Sequence, residues 1–102
     1  MTGYLFCAGL VSATGSNITS TGQVGWSVAR TPGFPAGSWQ VTFASAHPLG
    51  ANYIINISCV GSMAIIRGAT YSPTSTTFQL TSYQMGTTTL QDAPFSFMVL
   101  AG

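Results

Sequence analysis

In the run Gly37-Ser38-Trp39-Gln40-Val41-Thr42-Phe43 every second residue is apolar and those between are polar or small. That period of two belongs to an extended strand with one buried face and one wet face. It recurs in Trp26 and Val28, in Tyr53, Ile55, Ile57 and Cys59, in Phe78 and Leu80, and in Phe95, Phe97 and Val99. Residues 4–11 and 63–70 add two apolar runs of strand length, and residues 17–20 are a candidate eighth strand. The breaks carry turn chemistry: Thr14-Gly15-Ser16, Thr31-Pro32-Gly33, Pro35-Ala36-Gly37, His47-Pro48-Leu49-Gly50, Val60-Gly61-Ser62, Ser72-Pro73 and Met85-Gly86. No window repeats apolar residues at spacings of three and four, so no helix is predicted. Seven or eight short strands about ten residues apart read as an all-β sandwich, jelly roll or barrel.

With 102 residues the chain has interior enough for one domain, so residues 1–102 are read as a single β-sandwich domain without a boundary. Charged residues make up only 3% of it, against about 25% in an average soluble protein. The ionic side chains are Arg30, Arg67 and Asp92. Solubility therefore rests on Thr, Ser, Asn, Gln and Gly, which hydrate well but do not repel a neighbouring copy. Such a surface predicts an obligate oligomer.

The same scarcity excludes partners. Nucleic acid requires clustered Lys and Arg, and the chain has no Lys and two separated Arg. A basic membrane patch fails likewise, and the longest apolar runs are far shorter than the ~20 residues of a spanning helix. No membrane insertion is expected. Met1-Thr2-Gly3 lacks the basic start of a secretory signal. Cys7 and Cys59 are consistent with one disulfide or with two buried thiols.

Some strands are apolar on both faces. Ile54 lies opposite the Tyr53 and Ile55 set, and Met98 and Leu100 lie opposite Phe95, Phe97 and Val99. One core covers one face, so a neighbouring subunit is expected on the other, with Tyr4, Phe6, Ile54, Met98 and Leu100 as the candidate oligomer interface.

Catalytic chemistry has little to work with. General acid–base catalysis needs groups held in different protonation states, and the chain has no Glu, one Asp and one His. Asp92 is expected to order the loop entering the last strand. His47, before Pro48, is expected in a structural role. No strained Gly-x-Ser-x-Gly turn accompanies the abundant serines. Three Cys and His residues scattered along the chain make no zinc set, and the lack of carboxylates excludes a calcium cage. No cofactor and no enzymatic activity are expected. Two triplets, Asn17-Ile18-Thr19 and Asn56-Ile57-Ser58, match the glycosylation pattern; Asn56 falls in mid-strand, a poor acceptor. The residues left for recognition are the aromatics and amides outside the core faces: Asn17, Gln23, Tyr71, Tyr83 and Gln84. They suit a neutral sugar or a polar surface.

The run from Gly37 through Phe43 to Ala44-Ser45-Ala46-His47-Pro48, followed by Asn52-Tyr53-Ile54-Ile55, resembles a pattern in the distal domains of viral and phage fibre proteins. Pro73-Thr74-Ser75-Thr76-Thr77-Phe78-Gln79-Leu80 and Leu90-Gln91-Asp92-Ala93-Pro94-Phe95-Ser96-Phe97-Met98-Val99 resemble that family's closing hairpin. Residues 34–43 and Phe95-Ser96-Phe97 are also similar to the head domain of complement first component and its tumour-necrosis-factor-like relatives. The first third of the chain matches neither. Both resemblances imply an antiparallel jelly-roll sandwich that forms a homotrimer. The viral one implies a fibre or spike head on the virion surface that attaches to a host cell-surface glycan or protein. Two alternatives stand beside it: a purely structural capsid-decoration or fibre-trimerisation module, and a secreted lectin-like or complement-like recognition head.

Overall fold

The computed structural model describes residues 5–33, 37–59, 64–70, 73–84 and 91–101. Among these there are eight strands and no helix: β1 (Leu5–Val11), β2 (Asn17–Thr21), β3 (Trp26–Arg30), β4 (Ser38–Phe43), β5 (Ile54–Cys59), β6 (Ala64–Thr70), β7 (Thr77–Gln84) and β8 (Phe95–Leu100). They form two four-stranded antiparallel sheets, ordered β2-β1-β8-β5 and β3-β4-β7-β6. The chain makes a hairpin in one sheet and then crosses to the other. Its first and last strands meet side by side in the middle of the first sheet.

The core is where the two inward faces meet. Trp39, Val41 and Phe43 of β4 and Phe78 and Leu80 of β7 oppose Cys7 and Val11 of β1 and Phe95, Phe97 and Val99 of β8. Each large side chain fully buried here contributes about 1.5–3 kcal/mol of transfer free energy. The aromatics interlock edge to face: Phe78 meets Phe97 at 5.4 Å and Phe6 meets Phe43 at 5.1 Å. The candidate eighth strand forms as β2, although short and polar, because β1 supplies its ladder.

Two local features adjust the packing. The register of β1 against β8 shifts between Leu5 and Cys7, and such a bulge lets neighbouring residues turn to the same side. Phe6 and Cys7 are accordingly both buried, at 2% and 0% exposure. On the same strand, the indole of Trp26 crosses from β3 and donates from Nε1 to the Ala8 carbonyl at 3.0 Å. A Cβ at Gly9 would stand 2.0 Å from that ring, so only glycine fits beneath it.

The loops lie at two ends. At one end are the β1–β2 turn, the β3–β4 loop and residues 91–94; at the other are the β2–β3 connection and the loop carrying His47. Cys7 pairs with Val99 and Cys59 with Phe95, on opposite sides of β8. Four residues of strand separate these rungs by about 13 Å, beyond the ~7 Å limit between the Cα atoms of a disulfide. Cys7 is a free buried thiol.

Candidate functional site

The outward residues of β1, β8 and β5 follow from the same alternation that fills the core. Rungs across the sheet bring Leu5, Leu100 and Ile54 together, then Ala8, Met98 and Asn56, then Leu10, Ser96 and Ser58. The result is an uncharged outer face whose apolar part is formed by Leu5, Leu100, Ile54, Ala8, Met98 and Leu10, with Asn56, Ser58 and Ser96 beside it. Ile54 is 61% exposed and Met98 41%. No ionisable side chain lies on this face among the described residues. Chemically it can exclude water against another uncharged surface and offers nothing for a charged ligand.

Of the expected interface residues, Ile54, Met98 and Leu100 share this face. Phe6 does not: the bulge turns it into the core, where its ring lies 4.5 Å from the His47 ring. Tyr4 lies outside the described residues. The expected ligand residues divide between the two ends. Asn17 opens β2, and Tyr83 and Gln84 close β7, all at the end that holds residues 91–94; the side chains of these three lie outside the described part. Gln23 is exposed at the opposite end, its N–H donating to the Leu5 carbonyl at 3.2 Å. Tyr71 lies outside the described residues.

The titratable groups Arg30, Asp92, His47 and Tyr53 are engaged in hydrogen bonds within the fold. Arg30 donates to both oxygens of Asp92, each at 2.9 Å, while the Gly37 N–H donates to Oδ1 at 2.7 Å. The Arg30 guanidinium also lies 4.4 Å over the Trp39 ring. The Arg30 hydrogen bond, helped by Gly37 and opposed by burial, holds the Asp92 carboxyl below the ordinary carboxylate range. This clamp ties the loop before β8 to the β3–β4 loop, the ordering role expected of Asp92. Sequence reading missed Arg30 as its partner, because nothing local connects residues 62 positions apart.

His47 stands at the opposite end, 3% exposed. Its Nδ1 accepts from the Leu49 N–H at 3.0 Å, which makes Nε2 the donor to the Leu100 carbonyl at 2.7 Å. Its ring stacks on Tyr53 at 4.7 Å. The Tyr53 hydroxyl shares its proton between the Thr74 carbonyl at 2.8 Å and the Thr77 carbonyl at 2.7 Å. Burial pushes the Tyr53 phenol and the Cys7 thiol each up to about 12. Cys7 is therefore a thiol rather than a nucleophilic thiolate, and His47 and Asp92 cannot serve one another from opposite ends. No group of three potential metal ligands occurs among the described residues.

Comparison with protein families, with curated proteins and with solved structures returns no match.

Proposed function

We propose that this chain is a non-enzymatic head domain of a viral fibre or spike, which forms a homotrimer and attaches to a host cell-surface glycan or protein. The observation that carries the assembly step is the uncharged apolar outer face around Ile54, Met98 and Leu100. It lies on the sheet in which β1 and β8 pair as the two central strands. A chain that crosses repeatedly between two antiparallel sheets, with β8 between β1 and β5 and β7 between β4 and β6, supports a jelly-roll reading. The attachment step rests on the resemblance of residues 37–55 and 73–99 to fibre heads. Sedimentation of the purified chain should give three times the monomer mass, and fluorescently labelled chain should bind a defined glycan array or a panel of cultured cells. A monomer at micromolar concentration removes the assembly step.

A second reading, a structural capsid-decoration or trimerisation module, is favoured by one observation. The four candidate ligand residues whose backbone is described do not converge: Asn17, Tyr83 and Gln84 belong to one end and Gln23 to the other. A stable trimer that binds neither array nor cells decides for this reading.

A further inference from the structure

The second sheet ends in an open strand whose bonding direction can be worked out. Among the described strands β3 pairs only with β4, and without a bulge from Trp26 opposite Phe43 to Arg30 opposite Trp39. The bonds that flank this ladder are from the Ala44 N–H to the Gly25 carbonyl, at 2.8 Å, and from the Thr31 N–H to the Ser38 carbonyl, at 3.1 Å. In an antiparallel pair, residues that exchange bonds with the partner alternate with residues that face away from it. Gly25, Ser27, Ala29 and Thr31 thus bond to β4. Trp26, Val28 and Arg30 aim their N–H and C=O groups away from it. Sheet edges are ordinarily guarded by Lys, Pro or a bulge. β3 has none of these, and its one charge, Arg30, is folded back onto Asp92.

We propose that this edge is completed by β3 of a second copy, antiparallel and centred on Val28, which joins two four-stranded sheets into one. The occupant follows from the register. A two-fold axis at Val28 sets Val28 against Val28 and Trp26 against Arg30 of the other copy, so every outward donor meets an outward acceptor. Arg30 then faces an aromatic residue and not a like charge. A shift by two residues leaves outward groups unpaired. The same register brings Thr31 and Pro32 of the other copy alongside Gly25, which lines an apolar groove of about 260 Å³ with Trp26, Ser27, Thr42, Phe43 and Ala44. This contact is separate from the apolar face of the first sheet and links assemblies built through that face.

Hydrogen exchange on the intact chain tests it directly. The Trp26 and Val28 amides should exchange at least tenfold more slowly in concentrated protein than after dilution. Val28→Pro removes an outward N–H and no bond to β4, so in concentrated protein it should return the mass to that of the assembly built through the first sheet alone. It also loses a part-buried side chain packed on the core and lowers the melting temperature somewhat, and Ala29→Pro, which breaks the β4 ladder, should lower it more. The proposal is overturned if the two wild-type amides exchange at one rate at all concentrations, if they are protected only when a different protein is added, or if folded Val28→Pro keeps the parent mass. Should Val28→Pro not fold, the wild-type exchange rates decide. Met98→Lys separates the two contacts, since it disrupts the face of the first sheet and should leave the concentration dependence of the Trp26 and Val28 amides in place.

Discussion

The outer faces of the two sheets are built from strands of five to eight residues with the same period, yet they present different surfaces. On the β3-β4-β7 side, Gln40 faces Gln79, Thr42 faces Thr77 and Ser27 faces Thr42. The Gln79 amide donates to Gln40 Oε1 at 2.9 Å, so the two glutamines of this face partner one another. On the β1-β8-β5 side the corresponding positions hold Leu10, Met98, Leu100 and Ile54 as well as Asn56, Ser58 and Ser96. Among the described side chains neither face uses charge. What separates them is whether water is an adequate neighbour: it solvates a glutamine ladder and is excluded from a leucine–methionine–isoleucine patch at a gain of ~25 cal/mol per Å².

The largest effect should come from making the apolar face unsuitable for a neighbour. Ile54→Lys with Met98→Lys should weaken self-association by about 100-fold or more, since two buried side chains at ~1.5–3 kcal/mol each are lost. Sedimentation reads the mass, and an unaltered melting curve for the monomer shows that the fold tolerates the change. An association constant equal to the parent's would mean the two faces do not differ in function.

The reciprocal change comes next. Gln40→Leu with Gln79→Leu gives the polar face the chemistry of the other one. Stability should move by no more than about 1 kcal/mol, because both hydrogen-bonding partners leave together, while light scattering should report new, larger species. If the double variant stays as monodisperse as its parent, apolar exposure alone does not explain the first face.

Smaller again is Gln79→Ala, which strands the Gln40 amide on a half-buried surface; urea unfolding should show a loss of about 0.5–1.5 kcal/mol. The smallest effect concerns the Arg30–Asp92 clamp, which belongs to neither face. The folded-state pKa of Asp92 is depressed, so its contribution is present above the ordinary carboxylate value near pH 4 and is lost as pH falls through the folded value. Urea midpoints should therefore fall more between pH 6 and pH 3 for the parent than for Asp92→Asn. The partly exposed pair makes that difference slight. Assembly through an uncharged face should not follow this titration.

The strands were legible because alternation is a local property: Ser38–Phe43 could be assigned face by face, and Ile54, Met98 and Leu100 were recognisable as apolar residues on the wrong side. Phe6 was not, since its direction depends on a register shift that only the β8 partner creates. His47 looked like a loop residue beside Pro48; what buries it is the meeting of Phe6, Tyr53 and the Leu100 carbonyl, contributed by three separate segments. The Arg30–Asp92 link and the separation of Cys7 from Cys59 are likewise matters of topology. The ligand residues were chosen by type, and type does not specify which end of a sandwich a loop occupies.

The pairing of β1 with β8, in which Leu5 faces Leu100, has a kinetic consequence. Neighbours so far apart in sequence can find each other only after a large loop closes, and proteins dominated by such contacts fold in milliseconds to seconds. On a ribosome, β1 must wait for β8 to emerge before it gains its central partner, and until then Phe6, Cys7 and Val11 lack their principal cover. Synthesis and completion of this fold are therefore tied to its final strand.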